Sequence, residues 1–199
     1  YDAPEHLKSI INRFVEKSGV KEPLSVKIQT NLPPSRGLGS SAAVAVAFVR
    51  ASYDFMDQPL DDKTLIKEAN WAEQIAHGKP SGIDTQTIVS NKPVWFKQGQ
   101  AETLKSLKLN GYMVVIDTGV KGSTKQAVED VHVLCESDEY MKYIEHIGTL
   151  VHSASESIEQ HDFHHLADIF NACQEDLRHL TVSHDKIEKL LQIGKEHGA

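Results

Sequence analysis

"PPSRGLGSSAAVAVAFVRASYDFM", Pro33–Met56, runs a glycine-and-serine loop straight into a segment built almost wholly of alanine, valine and phenylalanine. Pro33 and Pro34 each remove a backbone donor and fix φ, so the strand-like "LSVKIQTNL" before them cannot continue and the chain must turn. Gly37 and Gly39 open backbone angles closed to other residues and let another group approach the main chain closely. Ser40 and Ser41 then fall in the first turn of a helix predicted from Ser40 to about Met56, where backbone N–H groups have no intrahelical partner. Such a terminus suits an anion. The helix is apolar around most of its circumference, which predicts a central, buried position.

Outward from this loop the periodicity changes along the chain. "APEHLKSIINRFVEKSG" puts Leu7, Ile10, Ile11, Phe14 and Val15 on one helical face and closes at Gly19. "LSVKIQT" (24–30) alternates and predicts a strand. "LDDKTLIKEANWAEQIAHG" predicts a helix opened by Asp61 and Asp62 and stopped at Gly78. "TQTIVSNKPVWFKQG" predicts a short hairpin around Asn91 and Lys92, and "GYMVVIDTG" (111–119) a buried strand. From Ser123 onward the pattern is almost all helix, and Ser123 with Gln126 has capping-box spacing. Strands and helices first, then helices alone, predict an α+β fold with a helix-rich second half and a boundary near residue 105, giving domains 1–105 and 106–199.

At 199 residues the chain can bury a proper core, and its formal net charge of -7 argues against a nucleic-acid backbone or an anionic membrane as the main partner. A small anionic ligand stays open, because the local field of a site can oppose the global charge. The longest wholly apolar run, "AAVAVAFV", is far short of a membrane span. Cys135 and Cys173 stand far apart with no C-x-x-C spacing, which fits reduced thiols in a cytoplasmic protein. The chain opens on "YDAPEH" without an initiator Met and stops at "KEHGA", so it reads as part of a longer protein. The absence of a signal peptide therefore carries little weight.

Two constellations could carry chemistry. The Gly-Leu-Gly-Ser-Ser loop lacks the lysine of a Walker A loop and the spacing of a dinucleotide-binding turn. It offers backbone N–H groups, a helix dipole and two hydroxyls that suit phosphate oxygens or a hydrated Mg²⁺; a plain strand-to-helix turn is the alternative. The second is "EQIAHGKPSGIDT". Leu65, Ala69, Ala72 and Ala76 make an apolar stripe, and at 100° per residue Glu73 falls on its edge, where a carboxylate needs a cation or a donor unless it reaches solvent. Asp84 follows a turn built from Gly78, Pro80 and Gly82 that could hold an acid rigidly or serve only as a turn aspartate; His77 and Lys79 fall at the surface. A phosphate cradle, a hydroxyl and a carboxylate for Mg²⁺, and a second fixed carboxylate together supply much of what phosphoryl transfer needs.

"PPSRGLGSSAA" resembles the second motif of the GHMP kinases, the superfamily of galactokinase, homoserine kinase, mevalonate kinase and phosphomevalonate kinase, and "E…HGKPSGIDT", with Glu73 eleven residues before Asp84, resembles its mevalonate kinase branch. The likeness runs from the strand before Pro33 to "DTGVKGSTKQAV" and its helices. It implies a two-domain GHMP kinase-like fold truncated at both ends, and transfer of the ATP γ-phosphate to the C5 hydroxyl of mevalonate in isoprenoid biosynthesis. Carried over to this chain, Pro34, Arg36, Gly37, Leu38, Gly39, Ser40 and Ser41 would hold the ATP phosphates, Ser41 and Glu73 would ligate Mg²⁺, and Asp84 would orient the substrate hydroxyl and take its proton. His77, Gly82, Asp84 and Thr124 would line the substrate pocket, although Thr124 and Ser123 also suit helix capping. The resemblance further implies a cytoplasmic enzyme with no nucleic-acid or membrane partner, and allows a homodimer. The family's N-terminal lysine loop and its glycine-rich third motif are not in this sequence, so the chain alone is expected to bind ATP poorly and turn over little.

Four other readings compete. Phosphomevalonate kinase or another GHMP small-molecule kinase would share the motifs, and a non-catalytic sensor would share the fold; intact Ser41, Glu73 and Asp84 argue against the sensor. "DTG" at Asp117–Gly119 matches the aspartic-protease triplet, but it occurs once and a helical second half does not suit a β-rich protease. His161, His164 and His165 share a helical neighbourhood, yet no glutamate sits at the zincin position, and a solvated helix face explains them.

Overall fold

The computed structural model describes residues 4–33, 36–78, 80–104, 114–120 and 122–198. They fall into two compact units, Tyr1–Leu107 and Lys108–Ala199. The first holds α1 (Glu5–Ser18), α2 (Ser40–Phe55), α3 (Asp62–His77), α4 (Ile83–Ser90), β1 (Val94–Lys97) and β2 (Gln100–Thr103). The second holds α5 (Thr124–Leu134), α6 (Asp138–Gln160), α7 (Phe163–His179) and α8 (Asp185–Glu196).

In the first unit α2 and α3 form the centre. Ala42 and Ala45 on α2 and Ala69 and Ala72 on α3 are fully buried, and such small side chains let two helix backbones approach closely. Val46, Val49 and Leu65 fill the remaining space, and Ile10 of α1 closes the cluster. Phe14 meets the rings of Phe48 and Phe55 edge to face, each at 5.9 Å. Polar contacts then fix α1 on α3: Glu68 accepts from Arg13 Nε at 3.0 Å and from Lys17 Nζ at 2.5 Å, and the Arg13 guanidinium lies 4.6 Å above the Trp71 ring. The ends of the helices follow their local chemistry. Asp61 accepts from Thr64 N at 2.7 Å to open α3, and Gly19 closes α1 in the left-handed conformation.

Three strand expectations are corrected. Residues 24–30 form no strand, and 114–118 likewise run without one, with Val114, Val115 and Ile116 at 74%, 70% and 59% exposure instead of buried; Gly111–Met113 lie outside the described residues. A strand takes its hydrogen bonds from a neighbour, and among the described residues the sheet comprises β1 and β2 only. The hairpin expected around Asn91 and Lys92 turns instead at Gln98–Gly99, with Lys97 paired to Gln100. Both turn residues have positive φ, 51° and 81°, as a tight two-residue hairpin requires. Asn91 ends α4, whose Ile88 and Val89 pack against the helical core, so burial overrides the strand preference of the β-branched run before it.

In the second unit, α6 and α7 pack antiparallel. His146 lies 2.8 Å from Asp176 and Tyr143 stacks on His179 with centroids 4.4 Å apart, so contacts descend one helix as they climb the other. His161 in the left-handed conformation and Asp162 as N-cap make the tight link between them. Ser123 accepts from Gln126 N at 3.3 Å, the cap its spacing predicts for α5. A polar cluster of Gln174, Arg178, Ser183 and Glu188 joins α7 to α8.

Candidate active site

The site grows from the start of α2. Gly37 and Gly39 both have positive φ, 72° and 63°, and Gly39 is the helix N-cap. A glycine cap brings no side chain, and the first turn holds no acidic residue. The positive end of the helix dipole and its first-turn N–H groups, which no cap side chain satisfies among the described residues, are thus available to an outside anion.

Ser41, in that first turn, reaches across to α3. Its Oγ donates to Glu73 Oε1 at 2.7 Å. Glu73 is buried, at 4% exposure, where an ionised carboxylate without a donor is costly. Its second oxygen, Oε2, lies 3.6 Å from His77 Nε2, one helical turn on. His6, from the first turn of α1, brings its Nε2 to 3.5 Å from Ser41 Oγ. Burial pushes the His6 pKa below its ordinary value; the Glu73 carboxylate pulls it up and His77 pushes it down.

Asp84 comes from a different helix, α4. Gly82, at φ 88°, caps α4 and sets Asp84 in its first turn, with the side chain exposed. A methyl group at Gly39 would sit 3.8 Å from Asp84 Cγ and 3.8 Å from Ile88 Cδ1, so the glycine loop and the aspartate are in direct neighbourhood. Beneath this turn Gly82 packs on the Asn70 amide, 3.4 Å from the position of a Cβ. Thr85 Oγ1 and Asn70 Oδ1 are buried without a hydrogen-bond partner among the described residues, and no contact in the structure accounts for it.

Of the residues singled out in the sequence, the structure therefore brings Gly39, Ser41, Glu73, His77, Gly82 and Asp84 into one neighbourhood. Arg36 and Ser40 are half-buried, and Gly37 and Leu38 are exposed on the loop. Pro34 lies outside the described residues. Thr124 belongs to the second unit, where it opens α5. His6 and Asn70 were not legible as site residues. Their contacts come from helix packing, 35 positions apart along the chain for His6 and Ser41.

Comparison with known proteins gives the same region a context. Residues 5–91 match the family described as GHMP kinases N terminal domain. The chain is similar to a mevalonate kinase of Aeropyrum pernix, 35% identical over an alignment of 182 residues that covers 89% of this chain and 56% of that protein. Among solved structures it is similar to a mevalonate kinase from methicillin-resistant Staphylococcus aureus, with 65% identity and a TM-score of 0.77 over 100% of this chain and 64% of that one. It is also similar to an L. major mevalonate kinase in complex with R-mevalonate, with 28% identity and a TM-score of 0.73 over 84% of this chain and 53% of that one. The chain thus spans somewhat more than half the length of the relatives it matches.

Proposed function

We propose, on the match of residues 5–91 to the GHMP kinases N terminal domain family, that the full-length protein transfers the γ-phosphate of ATP to the C5 hydroxyl of mevalonate. The observation that carries this reading is the 2.7 Å bond between Ser41 and Glu73, made beside a helix N-terminus whose glycine cap neighbours Asp84. An anion cradle, a hard-oxygen pair and a fixed carboxylate within one neighbourhood are what phosphoryl transfer to an alcohol calls for. We assign residues 1–105 to the ATP- and substrate-binding domain and 106–199 to a second α+β domain. A cytoplasmic location and a homodimer are carried forward from the family resemblance alone; among the described residues no helix is long and apolar enough to cross a membrane.

The residues present fit both groups that the family implies. The glycine loop and the first-turn N–H groups of α2 suit a polyphosphate, which the missing side chains at positions 37 and 39 let approach the backbone. Ser41 and Glu73 suit Mg²⁺, since a hydroxyl and a carboxylate are hard oxygen donors. When bound, the cation would neutralise charge on the phosphates. Asp84 holds the C5 hydroxyl and accepts its proton as the new O–P bond forms, while the bond from the γ-phosphorus to the bridging oxygen breaks and ADP leaves. An unactivated alcohol is a weak acid, so Asp84 contributes more by orientation than by basicity. On the resemblance alone we read His77 and Gly82 of the first unit, and separately the Thr124 hydroxyl of the second, as substrate-side groups.

The test is Asp84→Asn in the full-length protein. A fall in kcat of about 10²–10⁴-fold with ATP affinity nearly unchanged supports the reading. Unchanged turnover would remove Asp84 from the chemistry. An ADP-release assay against mevalonate, phosphomevalonate, homoserine and galactose identifies the acceptor, and a preference for any of the last three overturns the assignment.

A further inference from the structure

We propose that His6 is a positioning residue for the Ser41–Glu73 pair: its Nε2–H donates to Ser41 Oγ and fixes the direction in which that hydroxyl presents its remaining lone pair. The inference rests on the kinase reading and adds to it a residue outside both motifs.

Proton counting carries it. A serine hydroxyl has one hydrogen and two acceptor positions, and an ionised carboxylate can only accept. Ser41 gives its hydrogen to Glu73 Oε1 at 2.7 Å. The approach of His6 Nε2 to the same oxygen, at 3.5 Å, is then favourable only if that nitrogen carries the proton. The ring is thereby assigned as the Nε2–H tautomer. One acceptor position of Ser41 Oγ is taken by His6, and one is left for a divalent cation. On the carboxylate side, His77 stands against the other Glu73 oxygen, so an imidazole brackets each end of the pair. At 3.5 Å the His6 contact is long for a hydrogen bond. Its contribution is orientation, with little energy of its own.

Two measurements on the full-length protein test this. Nitrogen-15 shifts of the His6 ring in the metal-free protein should show a protonated Nε2 and a bare Nδ1. Calorimetric binding of a non-hydrolysable ATP analogue, with and without Mg²⁺, should show that His6→Ala weakens the Mg²⁺-dependent enhancement about tenfold, in the range known for outer-shell partners. Metal-free binding and the melting temperature should stay unchanged in that variant. His6→Gln, which returns an N–H donor, should recover most of the loss. A protonated Nδ1, or a His6→Ala protein that responds to Mg²⁺ as the wild type does, overturns the positioning role alone. Equal weakening with and without Mg²⁺ also overturns it, because that is the mark of a general structural defect. A wild-type protein whose nucleotide binding ignores Mg²⁺ overturns the kinase reading and the positioning role together.

Discussion

Ser41 and Glu73, 32 positions apart, are joined by a 2.7 Å hydrogen bond from Ser41 Oγ to Glu73 Oε1. The bond links the first turn of α2 to a buried position of α3, so the glycine loop is tied to the core at the residue where an anion would sit. Glu73 also gains the donor that its burial demands. One contact therefore serves the fold and the site at once.

Replacing Glu73 by Gln separates those two services. Glutamine can still accept from Ser41 but carries no charge, so the fold should survive while the proposed Mg²⁺ site would lose a ligand. Mg²⁺-dependent nucleotide affinity in the full-length protein is expected to fall by at least the ~10–100-fold that even an outer-shell partner is worth, with the melting curve nearly superimposable. Calorimetry with and without Mg²⁺ checks this. Retained Mg²⁺ dependence would show that Glu73 is structural only.

At Gly39 the backbone and the site can be told apart in the same way. Its φ of 63° disfavours any side chain, so Gly39→Ala should cost about 1–2 kcal/mol in urea unfolding. Gly37→Ala, at φ 72° with open space around it, should cost a similar amount. The two differ in what the new methyl meets: at Gly39 it stands 3.8 Å from Asp84, at ordinary contact distance. Equal stability loss with a larger fall in kcat for Gly39→Ala is the expected pattern, and equal kcat in the two variants would argue that a methyl in contact with Asp84 does not disturb its role.

How much of this was legible in the sequence depends on how local each signal is. The start of α2 was legible, because two prolines, two glycines and an alanine-rich run punctuate the chain within a few residues. The ends of α3 were legible for the same reason, with Asp61 before it and Gly78 after it. Glu73 was placed on the edge of an apolar stripe, but its depth depends on Ser41, a partner supplied by another helix. The hairpin falls elsewhere because Thr85, Thr87, Ile88 and Val89 look like a strand until the core that Ile88 and Val89 pack against is known. The strand-like runs at 24–30 and 114–118 make the same point from the other side. Alternation describes one strand, while its existence depends on a neighbour elsewhere in the chain.

The closeness of α2 and α3 makes a prediction about their small residues. Ala69 is fully buried among Ala45, Val46 and Ala72 in the core cluster. Ala69→Leu adds volume to a well-packed contact and is expected to cost about 1–3 kcal/mol. Leu65→Ala, at the same interface, removes volume and should cost about 2–5 kcal/mol. Because Glu73 lies one turn beyond Ala69, overpacking there should also weaken Mg²⁺-dependent nucleotide binding, whereas Leu65→Ala should affect stability more than binding. Urea midpoints and calorimetry on the pair distinguish the two effects.

The attachment of α8 to α7 should depend on pH in a way that follows from one carboxylate. Glu188 accepts from Arg178 Nε at 2.6 Å, from Gln174 Nε2 at 3.0 Å and from Ser183 Oγ. Arg178 foremost, and Ser183 next, hold its pKa down to about 2, well under the ordinary glutamate range near 4.3. A carboxylate held down in the folded state binds its proton more readily in the unfolded chain. Its stabilisation is therefore complete above the ordinary glutamate pKa and is lost as pH falls from there through about 2. Glu188→Gln removes the titrating group, so the variant should melt lower than wild type at pH 7, and the gap should narrow steadily between about pH 5 and pH 2. Melting by circular dichroism across that window is the check. A gap that stays constant as the pH falls would mean that Glu188 holds α8 by shape and neutral hydrogen bonds instead of by its charge.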